Sequence, residues 1–502
     1  MIRAAFLALL ALPAAAEPRF IDRSAALPGP HVYDGGWEHF VGGGVAAFDC
    51  DGDAAPDLFA AGGENPARLM RNTAAPGGAL GFADISDRLP GPLTGVTGAY
   101  PLDIDGDGAL DLAVLRVGAN LLLRGLGDCR FEDASAGWGF DGSDRWTAAF
   151  SAMWEPGARR PTLAFGNYVN RDDPDGPFGA CDVNHLYRPD AYGAPAVLAP
   201  GHCALSMLFS DWRRDGHTDL RVSNDRHYYL RGGAEQMWRV QGPPRLLGPQ
   251  DGWDRVSIWG MGIASQDLNG DGLPDVMLTS MGDQLLQFAT ETPGFKDAPY
   301  ALGTTAHRPH AGEDGRPSTG WHAAFGDVDN DGRADIFIAK GNVDQMPGMA
   351  MQDPNSLLMQ NADGSFSERA AAAGVASMAR SRGAALADLN RDGRLDLVVV
   401  NRRAGMELWE NAGPAGAWLA VDVSQPGPNR RAVGAWVELR RASGRLEARE
   451  ITVGGGHASG AAVPVHFGLG DADGADVRVI WPDGAATDWR RLNAGAVHAV
   501  AR

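Results

Sequence analysis

Short apolar runs separated by turns rich in Gly, Asp and Asn recur along most of this chain. Before each acidic turn lies a run of small residues, such as Gly44-Val-Ala-Ala-Phe48 or Gly383-Ala-Ala-Leu-Ala387. After it comes an apolar, often β-branched run: Leu58-Phe59, Leu112-Ala-Val114, Ile336-Phe-Ile338 and Leu397-Val-Val-Val400. A third run follows, for example Leu357-Leu-Met-Gln-Asn361, then a turn and a fourth run at Asp363-Gly364-Ser365-Phe366. Runs this short, bounded by turn residues, predict strands rather than helices. Four strands per ~50 residues, repeated, predict a β-propeller, with the small-residue strand innermost where the axis is crowded.

The turn between the first two strands has a recurring pattern, D-x-[DN]-x-D-[G]-x-x-D, with Ala54 at the glycine position of the first copy. It reads Asp49, Asp51, Asp53, Asp57; then Asp103, Asp105, Asp107, Asp111; then Asp267, Asn269, Asp271, Asp275. Two more copies are Asp327, Asp329, Asp331, Asp335 and Asp388, Asn390, Asp392, Asp396. A weaker copy has Asp211, Asp215 and Asp219, with Arg213 at the second position. Successive copies start 54 to 61 residues apart, except for one gap of 108 between Asp103 and Asp211. A repeat without the acidic loop fills that gap: Thr147-Ala-Ala-Phe150 mirrors His322-Ala-Ala-Phe325, and Glu155 is the one acid left after it. The count is therefore seven blades. Alternate carboxylates on a tight loop offer the hard oxygen cage that calcium takes, and magnesium's rigid octahedron suits them less. An EF-hand would need Glu at position twelve and flanking helices. That position holds Ala60, Val114, Val222, Leu278, Ile338 and Val399, so the loop joins two strands.

Residues 1–16 have the three parts of a signal peptide: Arg3, the apolar run Ala4 to Leu12, and Ala14-Ala15-Ala16 before Glu17. Export to the periplasm or beyond is the expectation, with no transmembrane segment in the mature chain. The 63 acidic against 44 basic residues, net −19, disfavour nucleic acid as a partner. Four cysteines in an exported chain allow three pairings. Cys181 and Cys203 flank an irregular stretch and are the first pair to expect, leaving Cys50 with Cys129.

After Gly413-Pro-Ala-Gly416 the acidic loop no longer recurs, and β-like runs such as Trp418 to Val423, Trp436 to Leu439 and Val477 to Trp481 suggest a small β-sandwich-like domain. The expected division is a signal peptide over 1–16, a propeller over 17–413 and a tail domain over 417–502. The repeats resemble the FG-GAP/VCBS repeats of integrin-α-type propellers. The tail resembles the ASPIC/UnbV domain in Asn429-Arg-Arg-Ala-Val433-Gly434-Ala435-Trp-Val437, Gly454-Gly-Gly-His457-Ala-Ser459, His466-Phe-Gly-Leu-Gly470 and Trp481-Pro-Asp-Gly484. His457 stands where that domain is usually aromatic, and Gly460 where it is usually polar. Together the parts resemble the cartilage acidic protein 1 family. That resemblance implies a secreted, calcium-binding protein with no established catalytic residues. It also implies a cysteine-bearing insertion after an Asn-Tyr pair, here Asn167-Tyr168 followed by Cys181 and Cys203.

Three functions fit. One is a binding or adhesion module for a glycan or protein, with the insertion from Arg171 to Pro200 as a candidate surface. A second is a calcium-dependent sugar lyase or isomerase with a site near the propeller channel, for which His185, His202, His217 and His227 are the residues to watch. The third is a structural protein of the envelope or matrix. No nucleophile elbow, H-E-x-x-H, C-x-x-C or P-loop occurs, so no catalytic residue is assigned.

Overall fold

The computed structural model describes residues 17–173, 180–189, 192–225 and 233–502. The expected signal peptide, parts of the Arg171 to Pro200 insertion and His227 lie outside those residues. Among the described residues the first part of the chain forms seven four-stranded antiparallel meanders. Their innermost strands are Val45–Phe48, Val96–Leu102, Asp144–Met153, Ala204–Ser210, Gly260–Gln266, Gly320–Gly326 and Arg380–Ala387. These strands stand next to one another around the axis, the first beside the last, so the sheets close into a β-propeller. Blade 3 is the repeat without an acidic loop, and its inner strand also pairs with blade 2 at Asp144–Trp146. Blade 7 is completed from the other end of the chain: Phe20–Asp22 pairs with Glu407–Asn411 as its outermost strand.

The core is a ring rather than a ball. Apolar residues of each sheet pack on the next, as where Leu58, Val398 and Leu123 meet across blades 1, 7 and 2. Small inner-strand residues are buried, among them Ala46, Ala149 and Ala384.

The tail folds as two facing sheets. Val465–Gly470, Ala417–Ser424 and Ala496–Ala501 form one; Leu446–Glu450, Trp436–Arg440, Gly474–Ile480 and Arg490–Asn493 form the other. Leu419, Val437, Phe467 and Val479 fill the space between them. The loop from Val453 to Ala462 leaves this sandwich and enters the propeller axis. Ala152 N–H donates to Val453 O at 3.1 Å, Gly455 N–H to Met207 O at 2.6 Å, and Gly456 N–H to Ile263 O at 2.6 Å. Gly460 N–H donates to Ala99 O, and Ala461–Ala462 runs parallel to Ala47–Phe48. His457 N–H donates to His322 Nδ1 at 3.0 Å. The loop thus bonds to inner strands of six blades and abuts the seventh, where a Cβ on Gly383 would lie 2.3 Å from Ser459 Oγ.

Innermost strands otherwise present an unpaired edge, and buried backbone groups must find partners. The inserted loop supplies them. Close approach explains two glycines: a Cβ on Gly44 or Gly98 would fall 1.8 or 2.1 Å from Ala458 O. At the deepest point His457 is fully buried beside Trp321, with ring centres 5.0 Å apart. Its Nε2 accepts from Gly42 N–H at 3.0 Å, so the ring is neutral with its proton on Nδ1. Burial, with the Arg382 guanidinium nearby, pushes His457 down to about 3, and burial pushes His322 down to about 4.

Two outcomes are expected. Gly98→Val, which sets a branched side chain against backbone, should lower stability by at least ~2 kcal/mol in urea unfolding, whereas Gly348→Ala, in open space, should change it by less than ~0.5 kcal/mol. The folded-state pKa values of His322 and His457 are depressed, so their contribution is full above the ordinary 6.5 and is lost as pH falls through about 4 and 3. Below 6.5 each costs up to ~1.4 kcal/mol per pH unit. A His457→Asn variant should show a shallower fall in melting temperature between pH 6.5 and 4 than the parent; equal slopes would refute the assignment.

Candidate metal centres

All six acidic loops join the first and second strands of a blade, so they gather on one face of the propeller. The fold arranges each in the same way. The first carboxylate caps the turn: Asp49 accepts from Gly52 and Ala54 N–H, Asp103 from Gly106 and Gly108, and Asp267 from Gly270 and Gly272. In blades 6 and 7, Asp327 accepts from Asp331 and Gly332, and Asp388 from Asp392 and Gly393. The ninth-position carboxylate starts the second strand and ties the loop to the third. Asp57 accepts from Cys50 and Asn72, Asp111 from Ile104 and Gly125, and Asp275 from Leu268 and Ala289. Asp335 accepts from Val328 and Gln360, and Asp396 from Leu389 and Asn411.

Three loops bring carboxylate oxygens of three residues within 4.8 Å of one another: Asp49, Asp51 and Asp53; Asp103, Asp105 and Asp111; Asp327, Asp329 and Asp335. Any of these groups could hold a metal ion. In blades 5 and 7 the second ligand position is an amide, and Asn269 and Asn390 donate to Asp271 and Asp392. Third-position acids also have cationic neighbours: Arg124 bridges Asp105 and Asp107 at 2.8 Å each, Arg333 meets Asp331, and Arg394 meets Asp392. Cys50 and Cys129 lie against Asp57 but form a disulfide, which anchors the first loop to blade 2; Cys181 pairs with Cys203.

Burial sets the electrostatics. It pushes Asp57 and Asp275 up to about 7 and Asp111 up to about 8. Asp103, Asp267 and Asp388 rise to about 6, and neighbouring carboxylates add to the rise. Asp327, Asp335 and Asp396 are also raised well above the ordinary carboxylate range, again mainly by burial. Carboxylates crowded in this way carry unfavourable charge that a divalent cation would relieve.

Blade 4 solves the same problem differently. Arg239 donates to both oxygens of Asp219 at 3.0 and 3.1 Å, Trp212 Nε1 adds a bond at 2.9 Å, and Arg213 lies 3.2 Å from Asp215. Guanidinium groups stand in this loop where a cation would sit. Of the sequence histidines within the described residues, His185 bonds Ser143 and exposed His217 faces Asp215, and no cluster of potential ligands among the described residues includes histidine.

Sequence reasoning missed what covers the loops. The tail seals four of them. Glu450 accepts from Asp211 N–H, and Arg214 reaches Glu438 at 2.7 Å. Ala448 N–H donates to Asp267 Oδ2, Gly416 N–H to Asp329 O, and His466 Nε2–H to Gly393 O. On blade 2 the contact narrows to Arg430 Nε on Gly106 O at 2.6 Å, and on blade 1 a cleft of about 740 Å³ separates loop and tail. The one sequence signal for the tail's attachment is the run Gly454-Gly-Gly456, which permits the backbone contacts at the axis.

Asp329→Asn tests the metal reading by sign, since asparagine is already native at this position in blades 5 and 7. In chelator at pH 8 the variant should be more stable than the parent by ~1 kcal/mol, because repulsion is relieved. In saturating calcium it should be less stable by a similar amount. The same sign under both conditions would refute a cation at this loop.

Two family models match the chain. The FG-GAP-like repeat family matches residues 49–114, 267–338 and 348–399, and the ASPIC and UnbV family matches residues 425–502. No curated protein matches the chain. Similar solved structures include BBS1N in complex with ARL6DN, at 11% identity over 78% of this chain and 96% of that one, with a TM-score of 0.44. PorZ, a surface component of the type-IX secretion system of Porphyromonas gingivalis, is 12% identical over 90% of this chain and 59% of its own, with a TM-score of 0.40. An Agrocybe aegerita lectin for non-reducing terminal N-acetylglucosamine is 14% identical over 79% and 80%, with a TM-score of 0.29. The chain thus carries FG-GAP-like repeats on a β-propeller followed by a C-terminal ASPIC/UnbV domain.

Proposed function

We propose that this is an exported, calcium-binding propeller of the cartilage acidic protein 1 type, acting as a binding module for a glycan or protein partner. One observation carries the calcium reading: buried carboxylates, raised mainly by burial, sit in the loops on which the tail domain rests. Calcium there would hold the pedestal of the tail in shape, so its role is structural. Extracellular calcium modules bind at ~10⁻⁴–10⁻³ M, and at tenfold saturation each site contributes ~1.4 kcal/mol, or ~7 kcal/mol for five. Two disulfides support folding in an oxidising compartment, in keeping with the leader-like residues 1–16. A binding role is favoured over catalysis near the channel because Val453 to Ala462 fills the axis.

Thermal unfolding of residues 17–502 should show a rise on the order of 10 °C in millimolar calcium over chelator. Magnesium should give much less, and elemental analysis should find calcium. A calcium-independent melting temperature in metal-free protein would mean that the loops are solvated turns.

A further inference from the structure

The first acidic loop missing from the ring is replaced by its opposite. After the inner strand of blade 3 the chain reads Trp154-Glu-Pro-Gly-Ala-Arg159-Arg160, so the connection that carries four acids in blade 2 carries one acid and two arginines here. This loop faces the tail across a cleft of about 1010 Å³, on the far side of the Arg430–Gly106 contact from blade 1. Its volume suits an extended small ligand.

The charges that line the cleft are unequally committed. Glu155 accepts from Arg188 and Thr162, Asp105 pairs with Arg124 at 2.8 Å, and Asp483 pairs with Arg502 at 2.7 Å. Arg159 is exposed and has no ion pair or hydrogen bond among the described residues, and Arg160 only stands over the Trp138 ring at 5.4 Å. Arg430 has a carbonyl partner and no carboxylate. In a chain of net charge −19, uncommitted guanidinium groups gathered at one cleft are a local reversal of the field. The walls are stiff and partly apolar, with Trp154 and the prolines Pro156, Pro426 and Pro482. Planar guanidinium forks match carboxylate and sulfate groups, and indole and proline surfaces suit the faces of sugar rings. The overall negative charge disfavours densely charged polyphosphates but tolerates one anion per sugar or two.

We propose that this cleft between blade 3 and the tail is a binding site for an acidic oligosaccharide, its carboxylates or sulfates held by Arg159 and Arg160. The proposal deepens the binding-module reading and rests on it.

The test uses residues 17–502 in calcium, with hyaluronan and chondroitin sulfate hexasaccharides as acidic probes and chitohexaose as the neutral control, by calorimetry. At least one acidic probe should bind more tightly than chitohexaose, and its affinity should fall with added salt. Arg159→Ala/Arg160→Ala should weaken that binding by about tenfold or more, while Arg490→Ala should not change it. The double variant should keep the parent's calcium response and stay within a few degrees of its melting temperature, since neither side chain has an ion pair or hydrogen bond among the described residues and Arg160 contributes one contact with the Trp138 ring. The proposal is overturned if neither acidic probe outbinds chitohexaose, or if the double variant binds as the parent does. Either result with the calcium response intact removes this ligand class and site and leaves the calcium-stabilised module standing.

Discussion

Seven inner strands converging on one axis leave seven edges of backbone donors and acceptors with no strand to pair with. The rest of the structure follows from how that deficit is met. Residues 453–462 enter the axis and hydrogen-bond to one inner strand after another, ending as a short parallel strand beside Val45–Phe48. An open aqueous channel would leave those groups to water; the inserted loop instead makes the axis a second core, with His457 and Trp321 in contact inside it. The tail is therefore part of how the propeller is stabilised, and its sandwich is positioned by the loop it sends inward.

That position is off-centre, and the acidic loops divide accordingly. Blades 4 to 7 lie under direct backbone and side-chain contacts from the tail, while blades 1 to 3 open onto clefts. Sealed loops are shielded from solvent exchange, which suits a structural cation. The loops facing the clefts keep oxygens or guanidinium groups toward solvent. One repeated sequence pattern thus yields two environments, decided by a domain that the pattern does not encode.

Much of this was legible in the sequence because it is local. The spacing of Asp49, Asp103, Asp267, Asp327 and Asp388 marks strand boundaries, and the matching of Thr147-Ala-Ala-Phe150 to His322-Ala-Ala-Phe325 located the blade without an acidic loop. Arg213 was visible as a misfit, and it belongs to a guanidinium-filled loop that also draws on Arg239, twenty residues beyond Asp219 and on another strand. What could not be read was long-range. Gly44 and Gly98 look like generic small residues near an axis, yet the atom they accommodate is Ala458 O, some 360 to 410 residues away in sequence. Within the His185, His202, His217 and His227 grouping, strand and loop geometry send His185 to Ser143 and His217 to Asp215.

The pairing of Phe20–Asp22 with Glu407–Asn411 has a consequence in time. The first described strand of the chain has its partner almost four hundred residues later, and the axial loop comes later still. Contacts of such sequence separation form slowly, after the entropy of closing a very long loop has been met. In directional synthesis, blades 1 to 6 therefore emerge with an incomplete ring and bare inner edges. Assembly is completed by the last segments to arrive, so the tail acts as the final step of folding, and a chain interrupted before it is left with sticky edges that invite aggregation.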